Sequence, residues 1–271
     1  SMNVQAFEQL NLEYNLRKAL DRHEFLIYYQ PQIALESQKV IGAEALIRWR
    51  HPELGLVSPA EFIPLAEETG LIIPIGQWVL ETACAQMKLW HQQHRENLRI
   101  AINLSALQFR QKDLLSQIKS ILKNTALPPE SLEIEITESV SMENAELTIH
   151  ILDSLKQMGV RIALDDFGTG YSSLAFLKQF PINALKIDRS FVNDISTDHT
   201  DAGIIPTLIG MAHSFNLEVV AEGVETADQL TFLKKNRCDL VQGYLFDAPL
   251  PGDSFEKLLK KGVHEKFGDY P

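Results

Sequence analysis

Seven short segments of this 271-residue chain end in, or run directly into, a residue able to bind a metal ion or a phosphate. The residues are Glu44, Asn103, Glu135, the pair Asp165 and Asp166, Lys186, Glu222 and Gln242. Each follows an apolar stretch of strand-like composition, so each falls at the same point of a repeating rhythm. Carboxylates gathered at one rim repel one another and are costly to bury unless cations neutralise them. Oxygen ligands with few histidines favour Mg²⁺ or Mn²⁺ over zinc. Such a site with one lysine suits phosphate ester hydrolysis. Two ions roughly 3.5–4 Å apart can share a bridging carboxylate, activate water and stabilise the leaving oxygen. Lys186 would hold the attacking water or offset charge in the transition state. Taken singly, each residue has a plainer reading. Asp-Asp before Gly is usually a turn or a helix cap, and a lone lysine is usually at the surface. Glu133, beside Glu135, reads as a solvated strand face.

The elements that must position these residues are legible as a pattern. An amphipathic helix is expected over Phe7 to Arg22. Strands are expected at 25–30 and 39–49, joined by too few residues for a crossover helix, so they pair antiparallel. Further strands are expected at 98–104, 132–137, 160–165, 184–187, 218–221 and 239–242. Helices at 75–94, 113–124, 145–158, 201–215 and 227–235 fall between them. Strand–helix alternation implies βαβ units around a mostly parallel sheet. Eight strands favour an α/β fold of the irregular (β/α)8 TIM-like barrel type, with one antiparallel strand near the N-terminus; a doubly wound open sheet is the alternative. In such a barrel these positions open onto the face that carries active sites. Pro128-Pro129 stops a helix, and Gly168-Thr169-Gly170 is the conspicuous flexible loop.

Composition sets the outer limits. The formal net charge of -11 argues against binding duplex nucleic acid. It leaves room for a small phosphate ligand held through metal ions. Cys84 and Cys238 cannot make a disulfide framework or a cysteine-rich zinc site, and read as reduced core thiols of a cytoplasmic domain. No apolar run is long enough to span a bilayer. Ser1-Met2 reads as a cloning scar, with residues 1–22 as a lead-in, 23–260 as the barrel and 261–271 as a tail. An excised domain is expected, whose full-length protein has room for a membrane anchor. His91 and His94 read as a solvated helix end. Trp49, Trp78 and Trp90 read as core, with Trp49 close to the substrate face.

The sequence around these residues resembles the EAL family of cyclic di-GMP phosphodiesterases. The resemblance runs through "EALIRWRHPELG" from Glu44, "FIPLAEETGLI" at 62–72, "NLSALQF" at 103–109 and "LEIEITES" at 132–139. It continues through "ALDDFGTGYSSLAFLK" at 163–178, "LKIDRSFV" at 185–192, "VVAEGVET" at 219–226 and "VQGYLFDAPLP" at 241–251. It implies a metal-dependent hydrolase that cuts cyclic di-GMP to linear pGpG, with two Mg²⁺ or Mn²⁺ ions and inhibition by Ca²⁺. By resemblance Glu44, Asn103, Glu135 and Asp165 bind the first ion, and Asp165 and Asp166 the second, Asp165 bridging. Lys186 contacts the nucleophilic water, and Glu222 supports the second ion through water. Glu138 braces the loop from Asp165 to Leu174, and Glu225 orders the site. Gln30, Leu46, Arg48 and Gln242 face the dinucleotide, Arg48 at a phosphate, with Gln242 also lining the metal and water site. The resemblance further implies a homodimer, with that loop as its regulatory element, and a fused sensory or cyclase-like domain. The family often has Arg at Leu107, Gly at Arg237 and a basic residue at Ala248; none of these is a metal ligand. A cyclic di-GMP receptor without turnover, an unrelated barrel enzyme and a scaffolding domain are the competing readings.

Overall fold

A computed structural model describes residues 2–94, 97–138, 145–168, 177–195 and 203–264. The chain opens with α1 (Met2–Ala19), then β1 (Phe25–Ala34) and β2 (Lys39–His51). The hairpin turns at Gln38, whose φ is +56°. Next come β3 (Gly55–Val57), α2 (Pro59–Glu68), α3 (Ile72–His94) and β4 (Arg99–Asn103). They are followed by α4 (Ala106–Phe109), α5 (Leu114–Thr125), β5 (Leu132–Thr137), α6 (Ala145–Gln157) and β6 (Arg161–Phe167). Then β7 (Ala184–Ile187), α7 (Arg189–Asp194), α8 (Ile204–Ser214), β8 (Glu218–Ala221) and α9 (Ala227–Lys235). The chain ends in β9 (Leu240–Val241), β10 (Leu250–Pro251) and α10 (Gly252–Lys261).

The strands β2, β4, β5, β6, β7, β8 and β9 run parallel in that spatial order. β1 closes the ring by pairing antiparallel with both β2 and β9. The result is an eight-stranded barrel with one reversed strand, as the pattern predicts. The helix α2 is not among the expected elements; Pro59 sits in its first turn, where no backbone donor is needed.

Apolar residues alternate outward along the strands. Ile100, Ile102, Ile134, Ile136, Ile162, Leu164, Leu185 and Ile187 are all buried under the helices. Burying each such side chain contributes roughly 1.5–3 kcal/mol. Trp90 of α3 packs 4.7 Å from both Tyr29 and Phe255. Trp49 joins a second cluster with Phe25, Phe62 and Leu16, which fastens α1 to the barrel, and its Nε1 donates to Glu24 at 2.9 Å. Both cysteines are buried and unpaired, and burial pushes their thiols up to about 12.

Polar residues alternate inward. At the strand starts Arg161 bonds Glu133 at 3.0 Å and Glu218 at 2.7 Å, and Arg99 bonds Glu218 at 2.6 Å. Glu133 is therefore not a solvated strand residue but is 3% exposed and paired inside the barrel. It lies two residues from the inward Glu135, so the pleat sends both to one face. His91 is likewise only half-exposed, with its Nε2 2.7 Å from the Leu98 carbonyl oxygen.

Arg237 adopts φ +61° in the turn between α9 and β9. A side chain there crowds the following carbonyl, a cost that glycine would not carry. Relief of that strain exceeds the added freedom of the unfolded chain. Arg237→Gly is thus expected to stabilise by roughly 0.5–1 kcal/mol in urea unfolding. A lower midpoint in the variant would show that Arg237 makes compensating contacts.

Candidate active site

The inward residues at the C-terminal strand ends converge on Lys186. Its Nζ lies 2.7 Å from Glu135, 2.7 Å from Glu222, 3.3 Å from Asp165 and 3.7 Å from Glu44. The lysine is fully buried, so it is not the surface residue that its type would suggest. Glu44 is fixed from two further sides: Asn103 donates to one oxygen at 2.6 Å and Gln242 to the other at 2.5 Å. The same Gln242 amide donates to Gln30 at 3.0 Å. Residues on or just after all eight barrel strands thereby form one ring joined by hydrogen bonds and ion pairs.

Adjacent strand residues normally point to opposite faces. Asp165 and Asp166 escape this rule because β6 bulges against β7 between Leu164 and Phe167. Asp166 takes φ +54°, and its backbone amide donates to Asp165 Oδ1 at 2.9 Å. The bulge re-aims one side chain, a common device beside active sites. Oxygens of Asp165, Asp166 and Glu222 consequently lie within 4.8 Å of one another.

The electrostatics follow from the head count. Five carboxylates, Glu44, Glu135, Asp165, Asp166 and Glu222, face one ammonium. For Lys186, burial pushes the ammonium down, but Glu135, Glu222, Glu44 and Asp165 outweigh it and hold it firmly protonated. Burial raises Glu135, and repulsion from Glu44, Asp165 and Glu222 adds to it despite Lys186. Glu222 is pushed up to about 8, mainly by burial. Asp166 is raised by burial and then by Asp165. Burial also raises Glu44, but Lys186 and the amides of Gln242 and Asn103 bring it below its ordinary value.

These residues fit divalent cations. Among the described residues the buried Glu135 Oε1 and Gln242 Oε1 have no hydrogen-bond donor, and an acceptor left so is costly. A hard cation among these oxygens satisfies them and restores the ionised form of the raised carboxylates.

A cleft above the ring is lined by Gln30, Leu46, Arg189, Glu225, Gly243 and Tyr244, among others. Arg48 stands at its side, half-buried, with its guanidinium 5.5 Å from the Tyr28 ring centre. Gln30, Leu46, Glu225 and Gln242 are thus brought together in this one cleft. Arg189 and Tyr244 also line it, and both lie within the family-like motifs of the sequence; Tyr244 is 65% exposed. Glu138 is buried at the end of β5. The loop that it is expected to brace lies outside the described residues from Thr169 to Leu174. Trp49 fills core, as stated above. Leu107 and Ala248 are exposed.

Comparison with known proteins accords with this geometry. The family model of the EAL domain matches residues 13–249. A bifunctional diguanylate cyclase/cyclic di-GMP phosphodiesterase, MucR of Pseudomonas aeruginosa, is 46% identical over 93% of this chain and 37% of its own length. The cyclic di-GMP phosphodiesterase PdeR of Escherichia coli is 41% identical over 96% of this chain and 39% of its own. A solved structure titled PaMucR phosphodiesterase in complex with c-di-GMP superposes with a TM-score of 0.88 at 45% identity, covering 90% of this chain and 99% of that one. The chain spans about a third of the length of the curated relatives that it matches. With the motifs, the reversed-strand barrel and the family match all in agreement over most of its length, the chain belongs to the EAL domain family.

Proposed function

We propose that this chain hydrolyses cyclic di-GMP to linear pGpG, using two Mg²⁺ or Mn²⁺ ions. The observation that carries the reading is the excess of inward carboxylates around Lys186, with a donor-less oxygen on Glu135. The relatives' activities and the ligand named in the solved structure support the choice of substrate. Glu44, Asn103, Glu135 and Asp165 would hold one ion, and Asp165 and Asp166 the other, with Glu222 beside the second. When bound, the ions would polarise the phosphodiester and make water a better nucleophile at neutral pH. Lys186 sits among the ligands, where its ammonium can hold a water and balance charge that develops on the phosphoryl oxygens. Gln242 donates to the Glu44 oxygen that Asn103 does not hold, and also to Gln30. Arg48 supplies a positive charge for a phosphate, Leu46 an apolar contact. A homodimer and a fused sensory or cyclase-like domain belong to the same reading, as does a cytoplasmic site of action. Among the described residues no helix is long and apolar enough to cross a membrane.

The test is incubation of the protein with cyclic di-GMP, followed by chromatography of the nucleotides. Mg²⁺ or Mn²⁺ is expected to give pGpG, and excess EDTA to stop its formation. Ca²⁺ alone is expected to give little product, since its bonds to oxygen are about 2.3–2.6 Å against 2.0–2.1 Å for Mg²⁺. Equal turnover in EDTA would overturn the metal-dependent reading.

A further inference from the structure

The segment after β8 carries Glu222 and Glu225, and almost all of its backbone donors are taken. Glu222 N donates to Ile187 O at 3.1 Å and Val224 N to Gln242 O at 3.1 Å. Gly243 closes against Val224 so tightly that a Cβ on it would lie 2.1 Å from the Val224 carbonyl oxygen. The next two amides, of Glu225 and Thr226, donate to the side-chain oxygen of Gln229 at 2.8 and 2.9 Å. Gln229 lies in the first turn of α9, where Thr226 and Gln229 form a reciprocal capping box. It is 4% exposed. Its amide nitrogen does something that a capping box does not require: it donates to Val192 O, in the last turn of α7, at 3.2 Å. α7 follows within two residues of Ile187, the end of the strand that carries Lys186. One planar amide thus caps the start of one helix and binds the end of another, each behind a different site residue.

From this we infer that Gln229 is a positioning residue that sets Glu222 against Lys186 by tying the segment after β8 to α7. The inference deepens the proposed reading and rests on it. A carboxylamide offers an acceptor and a donor on one rigid group; a carboxylate or a hydrocarbon does not. The bridge holds Glu222 at 2.7 Å from Lys186 and keeps its oxygens within reach of Asp165 and Asp166.

The bridge can be removed without the cap. In Gln229→Glu the carboxylate still accepts from Glu225 and Thr226, and Glu is favoured at this place in a capping box. It no longer donates to Val192. Thr226→Ala does the reverse, weakening the cap and leaving the bridge. Mn²⁺ binding is read at pH 8 from the electron paramagnetic resonance signal of free aqueous Mn²⁺, beside kcat and KM for cyclic di-GMP and thermal melting. Gln229→Glu is expected to weaken Mn²⁺ binding and lower kcat by roughly 10-fold or more, the usual scale for groups that orient ligands, with KM little changed. Thr226→Ala is expected to keep wild-type Mn²⁺ affinity at a lower melting temperature. Gln229→Ala is expected to show both losses. Wild-type Mn²⁺ affinity in both Gln229 variants, or equal loss in Thr226→Ala, overturns the inference. If the unaltered protein binds no Mn²⁺, the metal reading itself fails and the inference falls with it.

Discussion

Lys186→Ala is expected to lower turnover of cyclic di-GMP by roughly 100- to 1,000-fold, the scale set by removing one group aimed at developing charge. The structure adds a second consequence that surface lysines never have. Four carboxylates lie within 4 Å of this one ammonium. Removing it leaves buried charges uncompensated, a loss of about 3–5 kcal/mol where one partner of a buried pair is deleted. The metal-free variant should therefore melt well below the wild type. Added Mn²⁺ supplies the missing positive charge, so it should restore most of the melting temperature while turnover stays low. That separation is the informative result. If Mn²⁺ restored stability and turnover together, Lys186 would be a structural counter-ion only. If neither moved on substitution, the whole arrangement around Lys186 would be misassigned.

The rhythm of apolar strands and helices was enough to foresee the barrel, its reversed strand and the rim on which the carboxylates meet. Those features depend on patterns two to fifteen residues long, which a sequence displays directly. What escaped depends on contacts between distant segments. The bulge at Asp165 and Asp166 cannot be seen in an Asp-Asp pair, because its cause is the register of β6 against β7. Gln229 looks like an ordinary polar residue of a helix start until Val192, 37 residues earlier, is placed against it. The burial of Glu133, by contrast, follows from the strand period alone. It shares a pleat face with Glu135, so placing one inside required placing the other there as well. Its partner Arg161 comes from β6 and bonds Glu218 of β8 in turn, contacts between strands that the sequence does not display.

Asp165→Asn should give the largest loss of all, and with the opposite sign in stability. Asp165 faces Lys186 and shares its cluster with Asp166 and Glu222, and it is the residue proposed to bridge the two ions. Asparagine keeps an oxygen to accept the Asp166 amide, so the bulge survives. What disappears is a negative charge at the position where the two proposed ions would meet. Turnover is expected to fall by at least roughly 1,000-fold, equivalent to about 4 kcal/mol of transition-state stabilisation. In metal-free protein the same change relieves repulsion among carboxylates that outnumber their cation. The variant should then melt at the wild-type temperature or above it in EDTA. In Mn²⁺ the order reverses: the wild type gains stability by mass action as its site fills, and the variant gains little. Melting both proteins with and without Mn²⁺, beside the product assay, therefore distinguishes a ligand from a mere fold residue. A variant less stable than the wild type in EDTA, yet equally stabilised by Mn²⁺, would mean that Asp165 supports the barrel and that the ions are held by its neighbours.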